Sequence, residues 1–390
     1  MDNPRGRIYL IRGVSEGKIG ITDNFVKHMD LCLLCRNCET ACPSGVKFGF
    51  LMEAARGQIE RHYKYSLADR WFRELILRTF THIGYLEIMS RLLRFYQRVG
   101  LQKIVRTSRV MSLLGRLGKM EALLPPVPRV NENLPEVIPA KGESRGRVGL
   151  LLGCVQRYFF PQVNVATARA LSESGYDVVV PKKQGCCGSL LVHEGARERG
   201  KGLARKTIDV FERAGVDMIA VNTAGCGSVM KEYWELFHSD RAYSHRAEAF
   251  SKKVRDVSQI LAQQPMEGRL RELNLTATYH DACHLAHGQR VRQEPRTLLQ
   301  AIPGLRLIEL KESDFCCGSA GIYNLLHPEL AQQLLDRKIE RIKETGAQVV
   351  VSGNAGCSLQ IEKGLKEQGL DVRVVHPVEL LDWSIRGQER

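Results

Sequence analysis

The chain has 390 residues, 44% hydrophobic and 26% charged, which is ordinary for a folded protein and leaves room for two or three domains with cores of their own. No apolar run approaches the roughly 18 residues of a membrane-spanning helix, and the first residues lack the apolar stretch of a signal peptide. The net charge of +14 is concentrated: Arg56 to Lys119 holds 14 Lys or Arg against Glu60, Asp69, Glu74 and Glu87. No recognition-helix pattern, aromatic ribonucleoprotein motif or zinc-finger histidine pair accompanies that charge, so an acidic partner or an anionic lipid surface is expected rather than nucleic acid.

All twelve cysteines fall into patterns. Without a signal peptide the expected compartment is the cytoplasm, where clustered thiols stay reduced and serve metal or redox chemistry rather than disulfides. In chain order, the first pattern is Cys32, Cys35, Cys38 and Cys42 followed by Pro43, the C-x2-C-x2-C-x3-C-P run of bacterial ferredoxins. It predicts a 4Fe–4S site. In two-cluster ferredoxins the fourth cysteine of such a run serves the other cluster, and only one run is present here. An upstream motif missing from this chain is the favoured explanation; closure by Cys42 itself and a ligand from another subunit are the alternatives.

From Val46 to about Gly118 apolar residues recur at three- and four-residue intervals between arginines, which predicts helices. Trp71, Phe72, Tyr85, Phe95 and Tyr96 read as core or docking residues. Leu123 to Arg147 carries five of the fourteen prolines and reads as a linker.

Beyond it the chain repeats itself. Cys186-Cys187-Gly188-Ser189 returns as Cys316-Cys317-Gly318-Ser319, each between outlying cysteines. Cys154 precedes Cys186 by 32 residues and Cys283 precedes Cys316 by 33; Cys226 follows Cys187 by 39 and Cys357 follows Cys317 by 40. Strands are predicted at 148–152, 177–181 and 217–221, and again at 276–279, 305–310 and 348–351, with helices over 163–174 and about 194–214. Alternating strands and helices predict parallel sheets of βαβ units. Each cysteine then follows a strand's C-terminal end, the edge where open α/β sheets bind ligands. One four-thiolate pocket per half is expected.

Two patterns fall short of other chemistries. Gly195 to Gly202 resembles a phosphate-binding loop but lacks the Ser or Thr after Lys201 and does not follow a strand. His280 and His284 are four apart, as in zinc proteases, but the run ends a strand and lacks the Glu base. These histidines are expected to support the site around Cys283 as hydrogen-bond donors or as an extra ligand, or to be satisfied loop residues. His327, His376 and Glu379 have no assigned role.

The Asp30 to Gly45 run, Cys283-His284-Leu285-Ala286-His287-Gly288-Gln289, the stretch from Cys316 to Leu326, Gly353-Asn354-Ala355-Gly356-Cys357 and the end from His376 to Trp383 resemble the iron–sulfur subunit of glycolate oxidase (glycolate dehydrogenase). More distantly, the doubled region resembles the cysteine-rich CCG domains of heterodisulfide reductase, where each half ends C-x2-C and holds a cluster on five cysteines. Here Val229 and Gln360 stand at the fifth position, so a cubane, a histidine-assisted cluster or zinc remains open for each half.

The resemblance implies a ferredoxin-type α-helical domain over 1–62, a basic helical region over 63–122, the linker over 123–146, and CCG repeats over 147–268 and 269–390. It further implies an electron-transfer subunit that takes electrons from a flavin-containing dehydrogenase partner oxidising glycolate or a similar 2-hydroxy acid such as D-lactate. A quinone or other acceptor would receive them, with peripheral association on the inner face of the cell membrane. The implied metal ligands are Cys32, Cys35, Cys38 and Cys42, and the repeat cysteines Cys154, Cys186, Cys187, Cys226, Cys283, Cys316, Cys317 and Cys357; no residue is expected to take the substrate's hydride. A thiol–disulfide oxidoreductase and a zinc-bound scaffold are the two alternative functions.

Overall fold

A computed structural model of the chain describes residues 1–108, 118, 121, 124, 127, 134–263 and 268–388. Its C-terminal part holds two sheets. The first runs β1 (Val137–Ile138), β3 (Asp177–Val179), β2 (Arg147–Leu151), β4 (Met218–Val221), β5 (Val254–Asp256), all parallel except β1. The second runs β7 (Arg306–Ile308), β6 (Thr276–His280), β8 (Val349–Ser352), β9 (Arg373–Val375), wholly parallel. Without β1 the two orders coincide, so the duplicated cysteine spacing reflects a duplicated topology. The central strands are buried along almost their whole length, as parallel strands with both faces covered must be.

The halves share one core. Val148, Leu150, Tyr279, Val351 and Trp383 belong to a single buried cluster. Helix Pro161–Glu173 of the first half packs against helix Pro377–Arg386 of the second, where Arg169 donates to both carboxylate oxygens of Asp382 at 2.6 and 2.7 Å.

Helices precede the sheets, seven of them with bounds among the described residues. α1 (Pro4–Ser15), α2 (Asp23–Asp30), α3 (Asn37–Thr40) and α4 (Phe48–His62) gather around Phe25, Met29, Met52 and Ile59. α5 (Leu67–Thr81), α6 (Ile83–Arg98) and α7 (Leu101–Thr107) follow. α5 lies across both halves: Phe72, Ile76 and Leu77 pack on Leu191 of the first and Ile322 of the second. α6 inserts Leu86 and Leu93 against Tyr158 and Phe159. Phe72 is thus core, whereas Trp71 and Phe95 are 66% and 63% exposed.

Three strands escaped the sequence reading. The linker expected over 123–146 contributes β1, which pairs antiparallel with β3, and the Glu136 carbonyl accepts from Val180 N–H at 2.8 Å. Its described part is therefore laid along a sheet edge rather than free; 128–133 lie outside the described residues, as does 109–117 of the helical pattern. β5 and β9 are three residues each and carry Arg255, Asp256 and Arg373, too short and polar to register as apolar runs. The helix expected near 194–214 is found over Arg197–Ala214, preceded by a separate short helix, Ser189–His193. Gly195, at φ +91°, lies so close to the Arg56 carbonyl of α4 that a Cβ there would collide with it. Of the glycines in the phosphate-loop lookalike, Gly195 serves this close packing and Gly200 a close approach to Val192.

Candidate metal centres

The loops leaving the C-terminal ends of the strands carry the repeat cysteines. Gly153, at φ +67°, turns the chain after β2 into the short helix that Cys154 opens. Cys186 and Cys187 lie between β3 and helix Ser189–His193, and Cys226 lies in the first turn of helix Ala224–Lys231. In the second half Cys283 follows β6, Cys316 and Cys317 lie between β7 and helix Tyr323–Leu326, and Cys357 lies in the first turn of helix Ala355–Glu367. Helix N-termini present unpaired N–H groups and a partial positive charge, which favour thiolates.

Within each repeat the thiols lie against one another. Cys154 interacts with Cys186, Cys186 with Cys187, and Cys187 with Cys226. The same series joins Cys283, Cys316, Cys317 and Cys357. All twelve cysteines are free. Contact with Cys186 and then burial push the Cys154 thiol well above its ordinary value, and contact with Cys316 and then burial do the same to Cys283. Thiols buried together do not ionise unaided; a bound cation supplies the missing counter-charge. Donors already point at sulfur. Gly188 and Gly318 N–H donate to Cys186 and Cys316 Sγ at 3.4 Å each, and Asn354 Nδ2 to Cys357 Sγ at 3.3 Å. The residues present therefore suit a thiolate-held metal or metal–sulfur group.

The two sets are neighbours. Ala224 N–H donates to the Gly353 carbonyl at 3.1 Å and Gly225 N–H to Asn354 Oδ1 at 3.3 Å, which ties the loop after β4 to the loop after β8. All eight repeat cysteines line one cavity of about 500 Å³, mostly apolar, whose wall includes Leu75, Ile76 and Phe80 of α5 and Met89 of α6.

The ferredoxin-like run sits above the second set. Leu34 and Arg36 take φ +52° and +62°, winding the chain tightly around Cys35. Cys32, Cys35 and Cys38 act on one another, and Cys35 also on Cys283 and Cys316. Burial pushes Cys35 up to about 12 and Cys38 to about 11. Cys42 stands apart: its thiol is lowered chiefly by the Val46 N–H, and no cysteine is among its main influences. The structure thus brings together three of the four cysteines of the run.

Several positioning residues gave little sequence signal. Arg36 is buried between the second and third cysteines; it reaches Glu232 of the first half at 2.7 and 2.8 Å and Glu39 at 3.0 Å. Arg56 holds the Cys32 carbonyl at 2.6 Å and the His193 carbonyl at 2.8 Å. Lys338 buries its ammonium near Cys316, Cys317 and Cys357, donating to the Glu312 and Ser313 carbonyls at 2.5 and 3.2 Å. Of the two histidines expected to support the site, His284 donates from Nε2 to the Leu34 carbonyl at 2.9 Å; His287, not singled out from the sequence, bonds Thr40 at 2.9 Å. Both lie on a π-helical turn after β6, so His280 and His284 do not share a helix as a protease pair would. His376 and Glu379, unassigned from sequence, form a reciprocal cap on the last helix, and His327 packs its ring on Tyr323.

Comparison with known proteins finds relatives along most of the chain. The cysteine-rich domain family matches residues 148–231 and 277–362, and the linker region of the glycolate oxidase iron–sulfur subunit matches residues 68–124. The probable glycolate oxidase iron–sulfur subunit of Bacillus subtilis is 39% identical over 388 residues, covering 97% of this chain and 87% of that protein. The chain belongs to the glycolate oxidase iron–sulfur subunit family. The Escherichia coli member is 34% identical over 370 residues, covering 93% of this chain and 84% of that one. A subunit of the CoM/CoB fumarate reductase of Methanothermobacter marburgensis is also similar, 34% identical over 249 residues, or 63% of this chain and 48% of that one.

Proposed function

We propose that this chain is the electron-transfer subunit of a dehydrogenase for glycolate or a related 2-hydroxy acid such as D-lactate. A flavin-bearing partner would oxidise the substrate, and a quinone would accept the electrons. The observation that carries the reading is the convergence of eight cysteines from six loops on one apolar cavity, with Cys35 of the ferredoxin-like run acting on Cys283 beside it.

Cys32, Cys35 and Cys38 would hold a 4Fe–4S cluster within a ferredoxin-type helical domain, Cys42 serving the same or a neighbouring cluster. The cysteines at 154, 186, 187 and 226, and those at 283, 316, 317 and 357, would hold one further centre per repeat. Iron–sulfur centres supply one-electron storage and release. The protein's part is placement: Gly188 and Gly318 aim N–H groups at sulfur, Lys338 favours the more negative state of the second centre, and α5 and α6 keep water from the cavity.

No helix among the described residues is long and apolar enough to cross a membrane. Membrane contact would come instead from α5 and α6. Leu67, Trp71 and Leu75 form one exposed stripe, and Tyr85, Ile88, Leu92 and Phe95 another, with exposed Arg70, Arg78, Arg91 and Arg98 among them. Apolar residues ringed by arginines suit an anionic lipid surface.

Anaerobic purification tests the assignment. Brown protein with several irons and acid-labile sulfides per chain is expected. Colourless protein with one or two zincs would make it a scaffold, and thiol-dependent turnover without a flavoprotein would make it a disulfide oxidoreductase.

A further inference from the structure

His280 is the last residue of β6 and is fully buried, and neither ring nitrogen has a hydrogen-bond partner. The other buried histidines of the region each have at least one ring nitrogen bonded, although His193 Nε2 and His284 Nδ1 have no partner. His284 and His287 bond the Leu34 carbonyl and Thr40, His193 donates to Glu53 at 2.9 Å, and His376 uses both nitrogens, on the Asn222 carbonyl and the Val378 N–H. The Ser313 carbonyl approaches the His280 ring as an acceptor without the geometry of a hydrogen bond, and it already takes Asp281 N–H and Lys338, each at 3.2 Å. A buried polar group left without a partner is costly, so the ring calls for one.

Two thiols of the second centre lie close to the ring. One ligand atom from each of His280, Cys317 and Cys357 lies within 4.8 Å of the others. We propose that His280 is a metal ligand of the second centre, giving it four thiolates and one imidazole where the first has thiolates alone. A neutral imidazole offers a ring-nitrogen lone pair to a metal beside the thiolates.

The first half lacks the device. Counting back three residues from the leading cysteine, His280 before Cys283 corresponds to Leu151 before Cys154, and Leu151 packs in the hydrophobic core of the first half. Lys338 likewise corresponds to Thr207, since the left-handed glycines ending the two long helices, Gly215 and Gly346, align them. Two halves of equal topology thus surround chemically unequal centres, and the imidazole occupies the second half, where Gln360 rather than a cysteine stands three residues past Cys357.

The proposal rests on the reading of the repeats as metal-holding, and one experiment separates the two. Holoprotein purified anaerobically with 15N-labelled histidine would be examined by pulsed electron paramagnetic resonance for iron, or by X-ray absorption for zinc. Wild-type protein is expected to show a histidine nitrogen bound at one repeat centre. His280→Leu, which installs the residue of the first half, should abolish that nitrogen signal without changing the first centre, while His284→Ala should retain it. Repeats that carry metal with no directly bound nitrogen, as when water bridges His280 to the buried, unpartnered Ser352 hydroxyl, would overturn the proposal while sparing the function. Repeats that carry no metal would overturn both. The wild-type measurement stands even if His280→Leu does not fold.

Discussion

Gly188 and Gly318 each follow a cysteine pair at φ +83° and +90°, and each offers its N–H to the first sulfur of the pair. A Cβ at Gly318 would sit 2.5 Å from the Ala331 carbonyl, and at Gly188 2.9 Å from that of Gly200. The left-handed backbone alone costs an alanine about 1–2 kcal/mol, and the overlap adds to it. Gly318→Ala is therefore expected to empty the second centre and leave the first loaded, with Gly188→Ala doing the reverse; metal content per chain and the spectrum of the surviving centre report it. A second residue-scale prediction concerns His376, whose ring burial holds at about 3. The unfolded chain binds a proton near pH 6.5 that the folded chain refuses, so this contribution is complete above that pH and is lost as pH falls towards 3. Between pH 7 and 5.5 the wild type should lose about 1 kcal/mol more stability than His376→Gln, as read from denaturant midpoints; equal losses would remove His376 from the account. The cysteines and their glycines were legible because spacing and residue type carry their chemistry. Arg36, Arg56 and Lys338 were not, because an arginine or lysine reads as surface until the fold shows what surrounds it.

At the scale of elements, the central strands announced themselves as apolar runs, within a residue or two of their ends. β1, β5 and β9 did not, since a two- or three-residue edge strand is set by the backbone beside it and needs no apolar run of its own. The periodicity of α5 and α6 was equally plain, but not which apolar face turns inward. That depended on where Leu191, Ile322, Tyr158 and Phe159 would be. The face left outside is the one proposed to meet lipid. Replacing Trp71, Leu92 and Phe95 together with serine should weaken co-sedimentation with anionic vesicles by about tenfold or more, since each large side chain withdrawn from water contributes roughly 1.5–3 kcal/mol. Equal sedimentation of variant and wild type would assign this face to a protein partner instead.

For the whole molecule, the duplicated spacing foretold two α/β halves with cysteines at the strand ends. What spacing could not convey is that the two cysteine sets face each other across one cavity, which arises from a core shared between the sheets and from the Arg169–Asp382 contact that locks them. Nor could it show that the ferredoxin-like run is pinned over them by Arg36 on Glu232 and His284 on Leu34. These contacts put three groups of thiols in succession, from Cys32–Cys38 to the second set and then the first, an arrangement suited to passing single electrons. The most direct test is a reductive titration of the anaerobic holoprotein followed by electron paramagnetic resonance. The account predicts uptake of more than one electron per chain, with signals from more than one iron–sulfur centre, one of which Cys317→Ser removes. A fully metal-loaded protein that takes up no electrons would contradict it.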